Sequence, residues 1–161
     1  MAGCGLFLKY VKHQNVDICL AAVQQNGCAL EFVKHQTLEI CMAAVQENGL
    51  ALQHVKKQTP EVCMAAVKQN GWALKHIQEQ TVEICMVAVQ NTGCALAYVK
   101  NQTPEICFAA VMKDGYARKH VKKQTTEISS APAKHPMPEQ WFTNKSLMQP
   151  KRTQPTKRLR K

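Results

Sequence analysis

Hydrophobic and polar residues recur along this chain with a period of 22 residues. Three columns of the repeat hold a single residue type, which defines its register. The columns are Gly27, Gly49, Gly71, Gly93 and Gly115; Cys19, Cys41, Cys63, Cys85 and Cys107; and Gln14, Gln36, Gln58, Gln80, Gln102 and Gln124. The unit reads G-x-A-L-x-x-V-K-x-Q-T-x-E-I-C-M-A-A-V-x-x-N and fills residues 5 to about 128. A register held over five cycles indicates a repeat architecture.

The apolar spacing predicts that each unit begins with a short helix. Within residues 49–58, Ala51, Leu52 and Val55 stand at positions i, i+1 and i+4, which share one helical face. A period of two, which would indicate a strand, does not occur in these Ala-rich segments.

A start signal then predicts a second helix in the same unit. Thr59 is a typical N-cap, Pro60 suits the first helical position, and Glu61 places an acidic side chain in the first turn. We expect this helix to run through Val62–Gln69 and to end at Gly71, with the glycine in the left-handed conformation of a helix C-cap.

Helices of this length are marginal in isolation, so the units must stack on one another. The predicted fold is all-α: an α-solenoid of about five and a half helical hairpins of 22 residues. The last unit differs from the others, because a leucine column ends with Arg118 and the cysteine column ends with Ser129. We expect it to form half a hairpin that caps the array with polar groups. The leucine column is Leu8, Leu30, Leu52, Leu74 and Leu96.

The composition changes after Ser130. Residues 131–161 contain five of the seven prolines, eight basic residues and one acidic residue, and therefore carry +7 of the formal net charge of +10. Such a composition predicts a disordered tail. We divide the chain into a repeat domain, residues 1–130, and a basic tail, residues 131–161.

The overall composition favours a soluble protein of an intracellular, reducing compartment. The chain has 161 residues, of which 45% are hydrophobic, so it can form a packed core. The longest apolar runs, such as residues 106–112, are far shorter than the roughly 20 residues of a membrane span. Abundant cysteines without a disulfide pattern fit reducing conditions.

Two segments resemble a known repeat family. QTPEVCMAAV at residues 58–67 and NGWAL at residues 70–74 are similar to the repeat called domain of unknown function 4116. The resemblance extends over about residues 5–128 and implies helical repeats without a catalytic residue. The family occurs in giant DNA viruses and some intracellular bacteria, so the resemblance also implies a host-associated, viral or effector-like role. The basic tail lies outside the family pattern.

The eight cysteines suggest packing rather than metal binding or disulfides. The periodic ones stand in apolar contexts such as I-C-M-A-A-V, where cysteine behaves as a small buried hydrophobe. Packed helices lie roughly 8–10 Å apart, whereas disulfide Cα atoms must lie within about 7 Å. No C-x-x-C pair and no Cys/His cluster has zinc spacing. Metal binding is the alternative interpretation.

One column consists of rings: Tyr10, Phe32, His54, His76, Tyr98 and His120. Packing between repeats is the favoured interpretation, and a ladder that faces a ligand is the alternative. The sequence contains no nucleophile elbow, Gly-rich phosphate loop or carboxylate dyad. We therefore predict no catalytic residues, no enzymatic activity and no cofactor.

Basic and acidic residues form separate columns. The basic column is Lys12, Lys34, Lys56, Lys100 and Lys122, interrupted by Gln78. The acidic column is Asp17, Glu39, Glu61, Glu83, Glu105 and Glu127. Mutual neutralisation of the two columns is favoured, whereas separate faces would leave the lysines free to follow a phosphate backbone.

Two further columns allow more than one interpretation. The unvarying glutamine could form hydrogen bonds between units or read a ligand one unit at a time, and the structural role is favoured because readers of sequence vary between repeats. Met42, Met64, Met86 and Phe108 are candidate partner-binding residues, although a methionine stripe is more often core.

The tail contains two clusters of basic residues that are typical of a nuclear import signal or a nucleic-acid patch. They comprise Lys151, Arg152, Lys157, Arg158, Arg160 and Lys161. A merely solubilising tail is the alternative. Trp141 and Phe142 are candidate partner anchors, because exposed aromatic residues otherwise cost solubility.

The sequence thus favours a non-enzymatic helical-repeat scaffold for protein–protein interaction, with a basic tail for nuclear targeting or anionic contacts. The alternative is a nucleic-acid-binding repeat protein that uses the lysine column and the tail together. We expect a protein partner, with no membrane and no metal.

Overall fold

The computed structural model describes residues 5–122, in which six-residue 3-10 helices alternate with ten-residue α-helices. The 3-10 helices are η1 (Gly5–Tyr10), η2 (Gly27–Phe32), η3 (Gly49–His54), η4 (Gly71–His76), η5 (Gly93–Tyr98) and η6 (Gly115–His120). The α-helices are α1 (Val16–Gln25), α2 (Leu38–Glu47), α3 (Pro60–Gln69), α4 (Val82–Asn91) and α5 (Pro104–Lys113). Residues 5–122 contain no strand, so the predicted all-α repeat of 22 residues is confirmed.

The first helix of each unit is shorter and tighter than expected. In η3 the 3-10 helix ends at His54, and Val55 adopts an extended conformation with φ −74° and ψ 117°. The Val55 amide donates to the Leu52 carbonyl oxygen at 3.1 Å, which closes the last turn with i+3 geometry. Ala51, Leu52 and Val55 are nevertheless all buried. The predicted buried face is correct, although Val55 reaches the core from outside the helix.

The α-helices begin as the sequence predicts. Thr59 accepts a hydrogen bond from the Val62 amide at 3.4 Å, and Pro60 occupies the first helical turn. The N-caps of the other α-helices, which form the same bond, are Asn15, Thr37, Thr81 and Thr103. Each cap satisfies an amide that has no partner within its helix.

The predicted left-handed glycine cap is wrong, because no residue between 5 and 122 has a positive φ. Glycine is instead required by close approach. A Cβ atom on Gly49 would lie 2.5 Å from the Ala66 carbonyl oxygen and 3.0 Å from Asn70 Cβ. Gly27, Gly71 and Gly93 are equally confined by the α-helix that follows them. Only a residue without a side chain allows the 3-10 helix to pack this closely.

The core lies between a layer of α-helices and a layer of 3-10 helices. Successive α-helices pack side by side, as do successive 3-10 helices, and each α-helix contacts the 3-10 helices before and after it. The leucine column is fully buried, and so are the alanines that precede it from Ala51 to Ala95. No charged or polar side chain is buried in the described part of the chain.

At the end of the described array, Arg118 is exposed where earlier repeats bury leucine. This agrees with a polar final repeat. Ser129, the predicted boundary at residue 130 and the predicted tail lie outside the described residues. No helix of residues 5–122 is long and apolar enough to cross a membrane.

We expect Gly49→Ala to lower the free energy of unfolding by about 1–3 kcal/mol, because the added methyl group overlaps the Ala66 carbonyl oxygen. Gly115 provides the matched control, since no described atom lies within 4 Å of a Cβ built there. Gly115→Ala should be neutral or stabilise by about 0.4–1 kcal/mol. Urea unfolding followed by circular dichroism measures both, and equal losses of stability would contradict the close-approach explanation.

Candidate binding surface

The glutamine column joins each repeat to the next through both atoms of its amide. Gln36 Nε2 donates to the His54 carbonyl oxygen at 2.8 Å and to the Leu30 carbonyl oxygen at 3.3 Å. Gln36 Oε1 accepts from the Lys56 amide at 2.9 Å. The Gln36 side chain therefore bonds to η2 of its own repeat and, in the next repeat, to the last residue of η3 and to the backbone just after it.

The same arrangement recurs from Gln14 to Gln102. In every case the amide nitrogen donates to a carbonyl oxygen 18 residues later at 2.8–3.0 Å. The amide oxygen accepts from the backbone amide 20 residues later at 2.9–3.1 Å. The structural interpretation of this column is confirmed. We call these five side chains the glutamine ladder.

The periodic cysteines pack behind the glutamine ladder. Cys19, Cys41, Cys63, Cys85 and Cys107 are buried and free, and each thiol faces the ladder oxygen five residues earlier at 3.6–4.0 Å. Burial raises the pKa of all five thiols. These cysteines are therefore uncharged hydrophobic neighbours, as predicted. Residues 5–122 contain no group of three or more His, Cys, Asp or Glu that could hold a metal ion.

Cys94 makes a different contact, which the sequence did not indicate. Its thiol donates to Asp114 Oδ2 at 3.1 Å, and this hydrogen bond together with burial raises the pKa of the thiol. The same bond, with one from the Tyr116 amide, lowers the pKa of the Asp114 carboxyl. Asp114 also caps η6, in the position that Asn48 and Asn70 occupy before η3 and η4. The contact strengthens the last described repeat.

The lysine column forms a row along one exposed edge. Each of its five lysines is exposed and follows the valine that comes directly after a 3-10 helix; Val33, Val55 and Val99 are buried, and Val11 and Val121 are half-buried. The ammonium groups bond to backbone carbonyl oxygens of the preceding repeat: Lys34 to Lys12, Lys56 to Lys34, Lys100 to Gln78, and Lys122 to Val99, at 2.6–3.3 Å. We call this set the lysine row. These bonds hold four of the ammonium groups at defined places relative to the backbone of the array.

The acidic column occupies the second position of each α-helix, beside the exposed N-terminal end. Asp17, Glu39, Glu61 and Glu83 are exposed there. Negative side chains in this position interact favourably with the helix dipole. The ammonium groups of Lys34, Lys56, Lys100 and Lys122 bond to carbonyl oxygens, and Glu127 lies outside the described residues.

The ring column precedes the lysine row by two residues. Val33 is buried, whereas Phe32 before it is half-buried and Lys34 after it is exposed. Tyr10 and Tyr98 are exposed, whereas Phe32, His54, His76 and His120 are half-buried.

An aromatic contact joins the fourth and fifth repeats. The Trp72 and Tyr98 rings meet edge to face with centroids 5.8 Å apart, and Lys75 Nζ lies 6.0 Å from the Tyr98 centroid. Trp72 remains 40% exposed and Tyr98 36% exposed. Packing between repeats is thus found at Tyr98, although its partner comes from another column. The sequence did not single out Trp72, because its column holds unlike residues: Cys28, Leu50, Trp72, Cys94 and Tyr116.

His76 lies near Lys75 and His54 on this surface. Partial burial lowers the pKa of its imidazole, and the nearby Lys75 and His54 lower it further. Its ring is accordingly neutral at neutral pH.

The predicted methionine surface is mostly withdrawn from solvent. Met86 is only 8% exposed, and Met42 and Met64 are half-buried, whereas Phe108 is 50% exposed. The column therefore packs within the α-helical layer at its centre. Every candidate residue of the tail, from Trp141 and Phe142 to the basic clusters of residues 151–161, lies outside the described residues.

The repeats match a known family model. Domain of unknown function (DUF4116) matches residues 37–81 and residues 60–103, which confirms the resemblance for this part of the chain. Comparison with curated proteins and with solved structures finds no match.

We expect Gln36→Ala to lower the free energy of unfolding by about 1–3 kcal/mol, because it leaves the Lys56 amide and the His54 carbonyl without their partner. Gln46 offers a matched control, since it is an exposed glutamine on α2. Gln46→Ala should change stability by no more than about 0.5 kcal/mol. Chemical denaturation measures the difference, and equal stability of the two variants would contradict a structural ladder.

Proposed function

Starting from the DUF4116 repeats of residues 37–103, we propose that this protein is a non-enzymatic scaffold that binds a protein partner through the outer surface of its 3-10 layer. Some solvent-facing positions of that layer, such as those of Trp72 and Lys75, differ from repeat to repeat, whereas the glutamines that join the repeats do not. Such a division lets the stack stay constant while the surface becomes specific for one partner.

The exposed pair of Trp72 and Tyr98 carries this proposal. Tryptophan and tyrosine are enriched among the residues that dominate binding energy at protein interfaces. Here they form one continuous patch with Lys75, and both rings retain more than a third of their surface in solvent. The patch offers a partner an apolar anchor site beside a positive charge.

The tail adds a second element to this proposal. Its basic residues Lys151, Arg152, Lys157, Arg158, Arg160 and Lys161 fit nuclear targeting or contacts with anionic partners, and Trp141-Phe142 fits a peptide anchor. An intracellular site of action, nuclear in a eukaryotic host, belongs to the same proposal. So does the viral or effector-like role that the family resemblance implies.

Site-specific photo-crosslinking tests the patch. A crosslinking amino acid at position 72 of the full-length protein should trap a defined partner, whereas one at position 46 on α2 should not. The purified partner should then bind Tyr98→Ala at least about 10-fold more weakly than wild type, and Phe108→Ala with unchanged affinity. Unchanged affinity of Tyr98→Ala would refute the patch as the interface.

The lysine row favours a second candidate function, the binding of nucleic acid. Its five exposed lysines follow one edge, as the neutralisation of a phosphate backbone requires. The tail, with its +7 charge, would act together with this edge.

Salt titration tests the second candidate. The logarithm of the affinity of full-length protein for duplex DNA should fall linearly with the logarithm of the salt concentration. Lys34→Gln and Lys56→Gln should each reduce the slope by about 0.9, whereas Lys68→Gln on α3 should not. Replacing the lysines and arginines of the tail by glutamine separates the contribution of the tail to the slope from that of the lysine row. A slope that depends on the tail alone would exclude the lysine row.

A further inference from the structure

Each repeat ends its 3-10 helix with a ring that is exposed or half-buried, and in five of the six repeats an exposed lysine follows two residues later. The ring column, which we now call the ring ladder, precedes the lysine row by two residues throughout the chain. The valine or isoleucine between them is buried from Val33 to Val99 and half-buried at Val11 and Val121, whereas the rings are exposed or half-buried and the lysines are exposed. Two parallel rows result, one of planar side chains and one of positive charges.

The glutamine ladder sets the spacing of both rows. Gln14 Nε2 bonds to the Phe32 carbonyl oxygen at 2.9 Å, and Gln14 Oε1 accepts from the Lys34 amide at 3.0 Å. Ring and lysine are thus held by the same side chain of the preceding repeat. Because this pair of bonds recurs at each junction, both rows share one pitch, roughly the 8–10 Å of packed helical elements.

Both rows remain accessible in the described structure. Tyr10 and Tyr98 are exposed, and the other rings are half-buried, so each packs in part and meets solvent in part. In the fourth repeat Gln78 replaces lysine, but Lys75 supplies a cation 6.0 Å from the Tyr98 ring. Positive charge therefore continues across the gap in the row.

A ligand that matches both rows must itself alternate planar groups with negative charges at regular intervals. Single-stranded nucleic acid does so, since its bases expose their faces and its phosphates follow a parallel line. A duplex hides its base faces in the stack, and an acidic peptide has no regular series of planar groups.

We propose that the outer surface of the 3-10 layer binds single-stranded nucleic acid, with bases stacked on the ring ladder and phosphates along the lysine row. The inference rests on the second candidate function and names its ligand. Stacking of this kind tolerates any base sequence, because every base has a π-face.

Binding of a fluorescent oligothymidylate to the full-length protein tests the ring ladder. Tyr98→Leu should weaken binding on the order of 10-fold, because it removes a stacking platform while keeping an apolar side chain. Tyr98→Phe retains the ring and should bind as wild type does. Phe108→Leu removes an exposed ring from the α-helical layer and should also have no effect. Equal binding by Tyr98→Leu and wild type would overturn the inference.

Salt dependence tests the lysine row with the same oligonucleotide. Lys34→Gln and Lys56→Gln should each reduce the log–log slope by about 0.7, the value for a phosphate contact on a single strand. Lys68→Gln should leave the slope unchanged. The series is repeated in full-length protein whose basic tail residues 151–161 are glutamine, so that tail contacts are removed from the comparison. Log–log slopes that are the same for Lys34→Gln, Lys56→Gln and the wild type would overturn the inference.

A duplex of the same length distinguishes this inference from the candidate on which it rests. Weaker binding of the duplex than of the strand supports stacking. Equal binding of both, with no effect of Tyr98→Leu, would overturn the ring ladder and leave the phosphate-binding edge in place. If neither the single strand nor the duplex binds, the single-strand inference and the second candidate function are both refuted. The protein-binding scaffold is then the remaining candidate.

Discussion

The glutamine amide that spans two repeats is the interaction on which the rest of this structure depends. Neither a six-residue 3-10 helix nor a ten-residue α-helix is stable by itself, since nucleation costs more than so few hydrogen bonds return. Between them the chain is extended and leaves backbone groups without helical partners. In the next repeat, Gln36 donates a hydrogen bond to the His54 carbonyl oxygen and accepts one from the Lys56 amide. Because the amide needs both bonds at once, it fixes the distance and the orientation of adjacent units.

Much of this architecture could be predicted from the sequence, because units with the same residues at the same positions form the same contacts. The unvarying glutamine indicated hydrogen bonds between units, and Thr59-Pro60 indicated where an α-helix begins. The role of glycine could not be read locally, since a helix end with Gly71 suits a left-handed cap as well as a close contact. Its true cause is the Ala88 carbonyl oxygen 17 residues later, whose position depends on the assembled stack. The 3-10 helix was missed because Val55 contributes to the same buried face in either geometry.

The binding surface was harder to predict than the fold, because exposure is a property of the whole stack. A methionine column at helical spacing can point inward or outward, and only packing of successive α-helices decides that Met86 is covered while Phe108 is not. Trp72 and Tyr98, which belong to different columns and lie 26 residues apart in sequence, contact each other. In contrast, the lysine row and the ring ladder were visible as columns. What the structure adds is that both columns keep exposed surface, although the residue between them is buried from Val33 to Val99.

In each unit, the residues that stabilise the stack therefore differ from the residues that we propose for binding. The glutamine, glycine, leucine and cysteine columns face the array, and their side chains bond or pack against neighbours. Across two repeats, Tyr98 contacts Trp72 and Lys75, and all three side chains also expose part of their surface to solvent. Energies in such arrays are approximately sums over units and their junctions, so a further unit extends the stack without disturbing the rest. Under the proposed binding of a single strand, each further unit with a ring and a lysine would lengthen the binding surface. The number of repeats would then set the length of the strand that is bound, and the outward-facing side chains would set its selectivity.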